Sequence, residues 1–393
     1  MRKQLVAAVL ASLLLLSGCG QTESPPVEAP PPPPPAEIPA PAPEVIPIPE
    51  PEPLPEPDPI GDMIDSMTLE EKVGQLFFVR VPAENAVEDV MTYHLGGYIL
   101  FGRDTKDKTA NDLIQTIASY QEAADIPLLI GVDEEGGTVV RVSSNPHLRE
   151  KKFPSPQKLL QSEDAYASVA ADSHEKNLLL SGLGFNVNLA PVCDISTDPN
   201  DFIYARTAGR DALGTAEYVD AVVDTMRSDG MGSVLKHFPG YGNNVDTHTG
   251  IAVDERPYEQ FLSEDFLPFE AGISSGSDTT AVLMSHNIVQ CMDETLPASL
   301  SSAIHEILRE ELNFEGVIMT DDLAMDAVAA YAEDGAVAVM AIEAGNDLVL
   351  TTDYRTQIPF VLEAVESGRL SEESIDDACR RVLAWKTALG LIN

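Results

Sequence analysis

Three short stretches of the chain carry residue types that could share one reaction. Lys236-His237-Phe238-Pro239-Gly240-Tyr241-Gly242 places a cation and an imidazole ahead of a Pro and two Gly, which shape a tight loop. A few residues on, Asp246-Thr247-His248 offers an imidazole that titrates near neutral pH, beside a carboxylate able to orient the ring and favour its protonated form. That is the composition of a proton-transfer dyad. His248 alone would read as an exposed loop histidine, and it is the nearby Lys-His pair that favours chemistry. The third stretch, Gly316 to Asp322, is an apolar run that ends in adjacent carboxylates, Asp321 and Asp322. Neighbouring side chains on a strand point apart, so one can face a reaction centre while the other caps the following helix, and capping is the ordinary reading for both. Asp321, first after the run, is expected in the pocket.

These stretches need a frame. Beyond residue 60 short β-branched or aromatic runs alternate with helical patterns, as in a parallel sheet with crossover helices. Eight strand candidates stand out: Leu76 to Val81, Tyr98 to Phe101, Pro127 to Val132, Phe185 to Leu189, Ser233 to Lys236, Thr280 to Ser285, Gly316 to Thr320 and Asp347 to Leu350. Helical stretches between them include Asn111 to Ala124, Glu163 to Leu180 with Ser162 as cap, Ala216 to Arg227, Ser301 to Leu312 and Thr356 to Glu366. Eight such units predict an α/β fold, a closed (β/α)8 barrel of the TIM type forming a single catalytic domain over residues 61–393. The competing open, doubly wound sheet lacks its glycine-rich phosphate loop after the first strand. Polar residues follow five strands directly: Asp133, Asp194, Lys236-His237, His286-Asn287 and Asp321-Asp322. In a barrel those ends share the face where barrel enzymes keep their chemistry.

The N-terminus reads Met1-Arg2-Lys3 and then an apolar run to Leu16, charged then greasy and too short to span a bilayer as a mature helix. It reads as an export signal. Leu16-Ser17-Gly18-Cys19 resembles the bacterial lipobox, which implies lipidation of Cys19, a signal peptide over 1–19 and an extracytoplasmic, membrane-anchored protein. Residues 20–60 are almost all Pro, Glu and Ala, too polar to form a core, and read as a disordered stalk reaching on the order of 100 Å at the rise of polyproline II. With 64 acidic against 24 basic residues the formal net charge is −40, which excludes binding to a phosphate backbone, so no nucleic-acid partner is expected. Cys19, Cys193, Cys291 and Cys379 have no zinc or disulfide spacing, and Cys193 and Cys291, in or beside apolar runs, read as buried thiols.

From about residue 62 to 390 the chain resembles glycoside hydrolase family 3, in its bacterial single-domain β-N-acetylglucosaminidase branch. The most specific likeness is Lys236-His237-Phe238-Pro239-Gly240 followed by Asp246-x-His248. The resemblance implies Asp321 as nucleophile, His248 as general acid/base and Asp246 as its partner. It further implies that Asp133, Arg141, Arg206, Lys236 and His237 hold the sugar of a β-linked N-acetylhexosaminide, and with the surface address it implies a cell-wall fragment as substrate. The implied reaction is a double displacement with retention, needing no cofactor, no metal and no obligate protein partner. Gly96 to Phe101, Asn188 to Val192 and Leu296 to Leu300 are also family-like and read as core or loop-shaping. The chain departs from the family pattern at Tyr241, where His is common, in a catalytic loop about one residue shorter, and at Thr207-Ala208-Gly209 in place of Ser-Phe-Gly. Two rival readings are a metal-dependent barrel hydrolase ringed by His237, His286, Asp133 and Asp321, and a surface glycan-binding lipoprotein without turnover. Trp385 is expected to pack rather than to carry a sugar, while Phe101, Phe238 and Tyr241 are the expected pocket walls.

Overall fold

A computed structural model of the chain describes residues 28–34, 57–242, 252–325, 328, 331 and 335–392. Met1–Glu56 and Pro57–Asn393 form separate compact units. Of the first, residues 28–34 are exposed coil. Cys19, with the lipidation expected there, lies outside the described residues.

In the second unit eight strands form one sheet: β1 Phe77–Arg80, β2 Gly97–Leu100, β3 Leu129–Val132, β4 Val187–Asn188, β5 Gly232–Phe238, β6 Thr280–Met284, β7 Ile318–Thr320 and β8 Val349–Thr351. Their order is β7-β6-β5-β4-β3-β2-β1-β8 and every pair is parallel. A parallel bridge from Met319 to Leu348 joins the two ends, so the sheet closes as a (β/α)8 barrel. The eight expected strands are all present, shifted by a residue or two at their ends.

Because strand side chains alternate, each strand sorts its residues between two cores. Phe78, Ile99, Leu129, Val187, Val234, Ala281, Leu283, Met319, Leu348 and Leu350 fill the barrel interior. Their strand neighbours Phe77, Val79, Tyr98, Leu100, Ile130, Leu235, Val282, Ile318 and Val349 pack outward against the helices. Phe78 is the bulkiest interior group that a strand supplies, and two glycines make room for it. A Cβ at Gly131 would lie 2.4 Å from the Phe78 ring, and one at Gly97 2.7 Å from it. Trp385 and Val382 from helix Glu372–Ala388 join the same interior cluster, with Trp385 only 2% exposed, so the packing role expected of this tryptophan holds.

Several expectations need correction. Helix Ala165–Leu183 is preceded by Asp164, and Ser162 does not cap it because its hydroxyl is bonded to Ser168. The helix expected from Ser301 to Leu312 is Ser302–Glu306, capped by the Ser301 side chain and continued in wider turns over Ile307–Glu311. Cys193 is buried as expected, whereas Cys291 is exposed, because it follows rather than lies within the short strand Ile288–Val289. That strand and its parallel partner Val253–Asp254 were not legible as an apolar run. Among the described residues no helix is long and apolar enough to cross a membrane.

Candidate active site

The interior alternation continues past the hydrophobic plug. Two residues beyond Phe78 stands Arg80, beyond Ile99 Phe101, beyond Gly131 Asp133, beyond Val234 Lys236, beyond Met319 Asp321 and beyond Leu350 Thr352, and all six line one cavity of about 870 Å³. The same two-residue period that fills the barrel with apolar groups thus delivers charged ones to its carboxyl-end mouth. A smaller cavity of about 230 Å³, bordered by Met63, Gln75, His94, Leu95 and Ile126, lies where strands begin rather than end. Barrel enzymes work at the other face, and no residue expected to be functional borders it.

Inside the larger cavity the charges interlock. The Lys236 ammonium donates to Asp133 Oδ1 and reaches Glu135 Oε1, both at 2.7 Å. The Arg206 guanidinium grips the same Glu135 twice, Nε to Oε2 at 3.0 Å and Nη2 to Oε1 at 2.7 Å. Burial would raise the Glu135 carboxyl, but Arg206 and Lys236 outweigh it and hold it well below the usual carboxylate range. Burial would likewise lower Lys236, yet Asp133 and Glu135 push it above its ordinary value. Such a network is costly to break, since removing one partner of a buried pair strands a charge at about 3–5 kcal/mol.

His237 sits in a second chain of bonds. Its Nδ1 lies 2.7 Å from Asp194 Oδ2, while Arg206 Nη2 lies 3.2 Å from its Nε2. A guanidinium only donates, so Nε2 accepts and Nδ1–H donates to Asp194, which assigns the tautomer. Asp194 also accepts from the Tyr241 amide at 2.7 Å, tying the strand end to the loop that follows. The β5–β6 ladder slips between Lys236 and Phe238, and the Lys236–His237 bond is cis. After the slip Lys236 and His237 both border the cavity while Phe238 turns outward onto Phe266 and Phe269. Phe238 is therefore core and not a pocket wall; Phe101 and Tyr241 do line the cavity as expected.

Asp321 and Asp322 both border the cavity, but their surroundings differ. Burial tends to raise the Asp321 carboxyl, and the His286 and His237 imidazoles, the Asp322 amide at 2.8 Å and Lys236 together bring it below its ordinary value. Asp322 moves the other way, raised by burial and by Asp321, and its oxygens accept from the Ala324 amide at 3.0 Å and the Thr352 hydroxyl at 3.2 Å. One carboxylate is ionised and turned to the pocket, and its neighbour shapes the turn.

Arg141 borders the cavity 3.8 Å from Asp133. Its position is set by Glu134, fully buried, whose carboxylate accepts the amides of Arg141 at 2.8 Å and Val142 at 2.7 Å together with the Ser143 hydroxyl. All five expected sugar-holding residues, Asp133, Arg141, Arg206, Lys236 and His237, thus meet in one cavity with Asp321. Asp246 and His248 lie outside the described residues. The segment that carries them leaves from Gly242, next to the cavity-lining Tyr241, and returns at Ala252, whose carbonyl accepts from Ile288 at 2.9 Å just beyond β6. Both of its anchors are therefore at the strand ends.

Sequence reasoning passed over Glu135, Glu134 and Arg80, gave Asp194 no particular task and gave His286 one only in the metal-centred rival. Glu135 had a signal, lying two positions after Asp133 in a run of acids, but nothing local says that Arg206 and Lys236 converge on it. The metal-centred rival is not supported. His286 spends Nδ1 on Ser299 at 2.7 Å and Nε2 on the Asp322 carbonyl at 3.1 Å, and His237 is committed to Asp194 and Arg206. Among the described residues no three His, Cys, Asp or Glu side chains are placed to share an ion.

Comparison with known proteins agrees with this geometry. A "Beta-hexosaminidase" of Xylella fastidiosa (strain M23) is 35% identical over 299 residues, 74% of this chain and 86% of the relative. "Beta-hexosaminidase LpqI" of Mycobacterium tuberculosis (strain ATCC 25618 / H37Rv) is 30% identical over 331 residues, 80% of this chain and 82% of the relative. Among solved structures, a glycoside hydrolase family 3 beta-N-acetylglucosaminidase from Paenibacillus sp. str. FPU-7 superposes with a TM-score of 0.77 at 32% identity, covering 83% of this chain; this chain spans 63% of that one. The family description "Glycosyl hydrolase family 3 N terminal domain" matches residues 68–385, and the chain belongs to glycosyl hydrolase family 3.

Proposed function

We propose that this protein is a retaining exo-β-N-acetylglucosaminidase that releases terminal β-linked N-acetylhexosamine through a covalent glycosyl-enzyme. The observation that carries the reading is Asp321, ionised at the end of β7, in one cavity with Lys236, Arg206 and Asp133, the two cations being tied together by the buried Glu135 behind them. Asp321 attacks the anomeric carbon as the bond to the leaving oxygen breaks, and His248 gives that oxygen its proton. Water then attacks the same carbon and displaces Asp321, passing its proton back to His248. Asp246 orients the imidazole. Lys236, Arg206, Arg141, Asp133 and His237 offer donors and acceptors to the ring hydroxyls of the sugar, and Asp194 keeps His237 presenting an acceptor.

The substrate reading, cell-wall fragments, is joined to the address. The charged and then apolar leader ending at Cys19 supports a lipid anchor on the outer side of a membrane, with the proline-rich stretch as spacer. The test is turnover of an aryl N-acetyl-β-glucosaminide by the full chain, with the anomeric form of the released sugar followed by NMR. Asp321→Ala and His248→Ala are expected to abolish turnover, and the first sugar released by the wild type is expected to be the β-anomer. Near-normal turnover in Asp321→Ala would remove the assignment.

A further inference from the structure

The segment that carries Asp246 and His248 has two described ends, and one side chain serves both. On the leaving side Gly240 and Gly242 follow β5 with φ of 131° and 59°. On the returning side the short strand Val253–Asp254 pairs with Ile288–Val289, and the Gln290 amide donates to the Asp254 carbonyl at 3.0 Å. Arg256 lies between them. Its Nε donates to Asp254 Oδ2 at 3.0 Å and its Nη2 to the same oxygen at 2.8 Å, while Nη1 donates to Asp265 Oδ2 at 2.8 Å. Its amide donates to Asp254 Oδ1 at 2.9 Å, so the turn after the short strand is closed by the residue it grips. The guanidinium carbon stands 4.4 Å from the centroid of the Phe261 ring, which steadies the plane of the fork. Both glycines fit onto this cluster. A Cβ at Gly240 would lie 2.3 Å from Asp265 Oδ1, and one at Gly242 2.8 Å from the Arg256 guanidinium carbon. The chain therefore leaves β5 against one half of the cluster and comes back bonded to the other.

Stability is a poor account of these bonds. Asp254 and Asp265 are 3% and 2% exposed, and burial, with Asp194 and Asp254 nearby, pushes the Asp265 carboxyl up to about 7 in spite of Arg256 beside it. A buried ion pair whose desolvation outweighs its attraction contributes little to folding, and fixed geometry is what it can offer. None of Arg256, Asp254 and Asp265 borders the cavity that holds Asp321, so they act through the chain and not on the sugar. We infer that Arg256 is a positioning residue: by holding Asp254 and Asp265 against Gly242 it fixes both ends of the segment that carries Asp246 and His248, and so sets where that acid/base meets the leaving oxygen. This rests on the glycosidase reading, with His248 as its acid/base.

The leaving group reads it out. A dinitrophenyl N-acetyl-β-glucosaminide departs as a stable phenolate without a proton, whereas the phenyl glycoside needs one from the acid. Values of kcat/KM for both are measured on the full chain as wild type, His248→Ala, Arg256→Gln, Arg256→Lys and Asp265→Asn, beside thermal midpoints. His248→Ala sets the pattern of a missing acid, a large loss on the phenyl glycoside and a small one on the dinitrophenyl glycoside. Arg256→Gln is expected to follow it, losing about a hundredfold on the phenyl glycoside and little on the other, with Arg256→Lys and Asp265→Asn in between. Should Arg256→Gln fail to fold, the same comparison is read from the other two. Equal losses on both glycosides in every folded variant, or no loss on either, overturn the inference, because the cluster would then support the fold or the sugar site alone. A wild type that cleaves neither compound removes the glycosidase reading, and equal losses in His248→Ala remove its acid/base. Either result takes this inference with it, and both are distinct from a failure of Arg256 alone.

Discussion

At the scale of single residues the site works by pairing each charge with a neighbour that settles its protonation. Asp321, the proposed nucleophile, is held below its ordinary value because two imidazoles, an amide and Lys236 outweigh the burial that would otherwise protonate it. Its carboxyl stays ionised as pH falls until below the ordinary value of 3.8, so the acid limb of kcat/KM due to Asp321 should lie under that pH, with any limb nearer neutrality belonging to another group. Asp321→Asn should cost about a thousandfold or more in kcat with the fold intact, as removal of a nucleophile does elsewhere, checked by steady-state kinetics beside circular dichroism. Asp194 acts through His237. In Asp194→Asn the ring loses the anion that holds its Nδ1–H, and the Tyr241 amide loses its charged acceptor. We expect a loss of about a hundredfold in kcat/KM, the scale of a misplaced contact, with little change in thermal midpoint.

At the scale of elements, two strand ends show how geometry is held. The turn after β3 returns as a short hairpin, Glu134–Gly136 with Val139–Val140, and Glu134 is its internal clamp. Glu134→Ala leaves the amides of Arg141, Val142 and Ser143 without their acceptor, each at about 1–3 kcal/mol. Arg141 would loosen with them, so both a lowered denaturation midpoint and a raised KM are expected, measured on the same preparation. Gly131→Ala drives a Cβ to 2.4 Å from the Phe78 ring, an overpacking that should cost about 1–3 kcal/mol by urea titration. The strand positions themselves were legible, because eight apolar runs with crossover helices leave few alternatives. What was not legible is the pairing of Val253–Asp254 with Ile288–Val289, two residues each and without hydrophobic periodicity. Phe238 was misplaced for a related reason, since a register slip inside a strand has no local signature.

At the scale of the whole molecule the barrel is closed at its amino end by the C-terminal helix. Trp385 enters the interior core, so Trp385→Ala should cost about 3–5 kcal/mol. Beside it Lys386 is wholly buried, donating to Gln75 Oε1 at 2.6 Å, and burial pulls its ammonium down to about 7. The unfolded chain keeps that proton up to about the ordinary 10.5, whereas the folded protein keeps it only below about 7. Unfolding between those values therefore takes up a proton. Stability should fall as pH drops from 10.5 towards 7, by about 1.4 kcal/mol per pH unit from this group, and level off below. Urea titrations across that window should show the slope in the wild type and a reduced one in Lys386→Met.

The sequence by itself determined the barrel and singled out Asp133, Arg141, Arg206, Lys236, His237 and Asp321, which the fold brings to one cavity. Strand periodicity and the placement of polar residues at apolar run ends are local properties, readable along the chain. Only the tertiary structure decided that Glu135 joins Arg206 to Lys236, that Asp194 sets the His237 tautomer, and that Arg80 stacks on Phe101. These depend on which strand ends are brought side by side when the sheet closes. Glu135 and Arg206 are 71 positions apart in the chain, and no local pattern encodes a distance closed by the barrel.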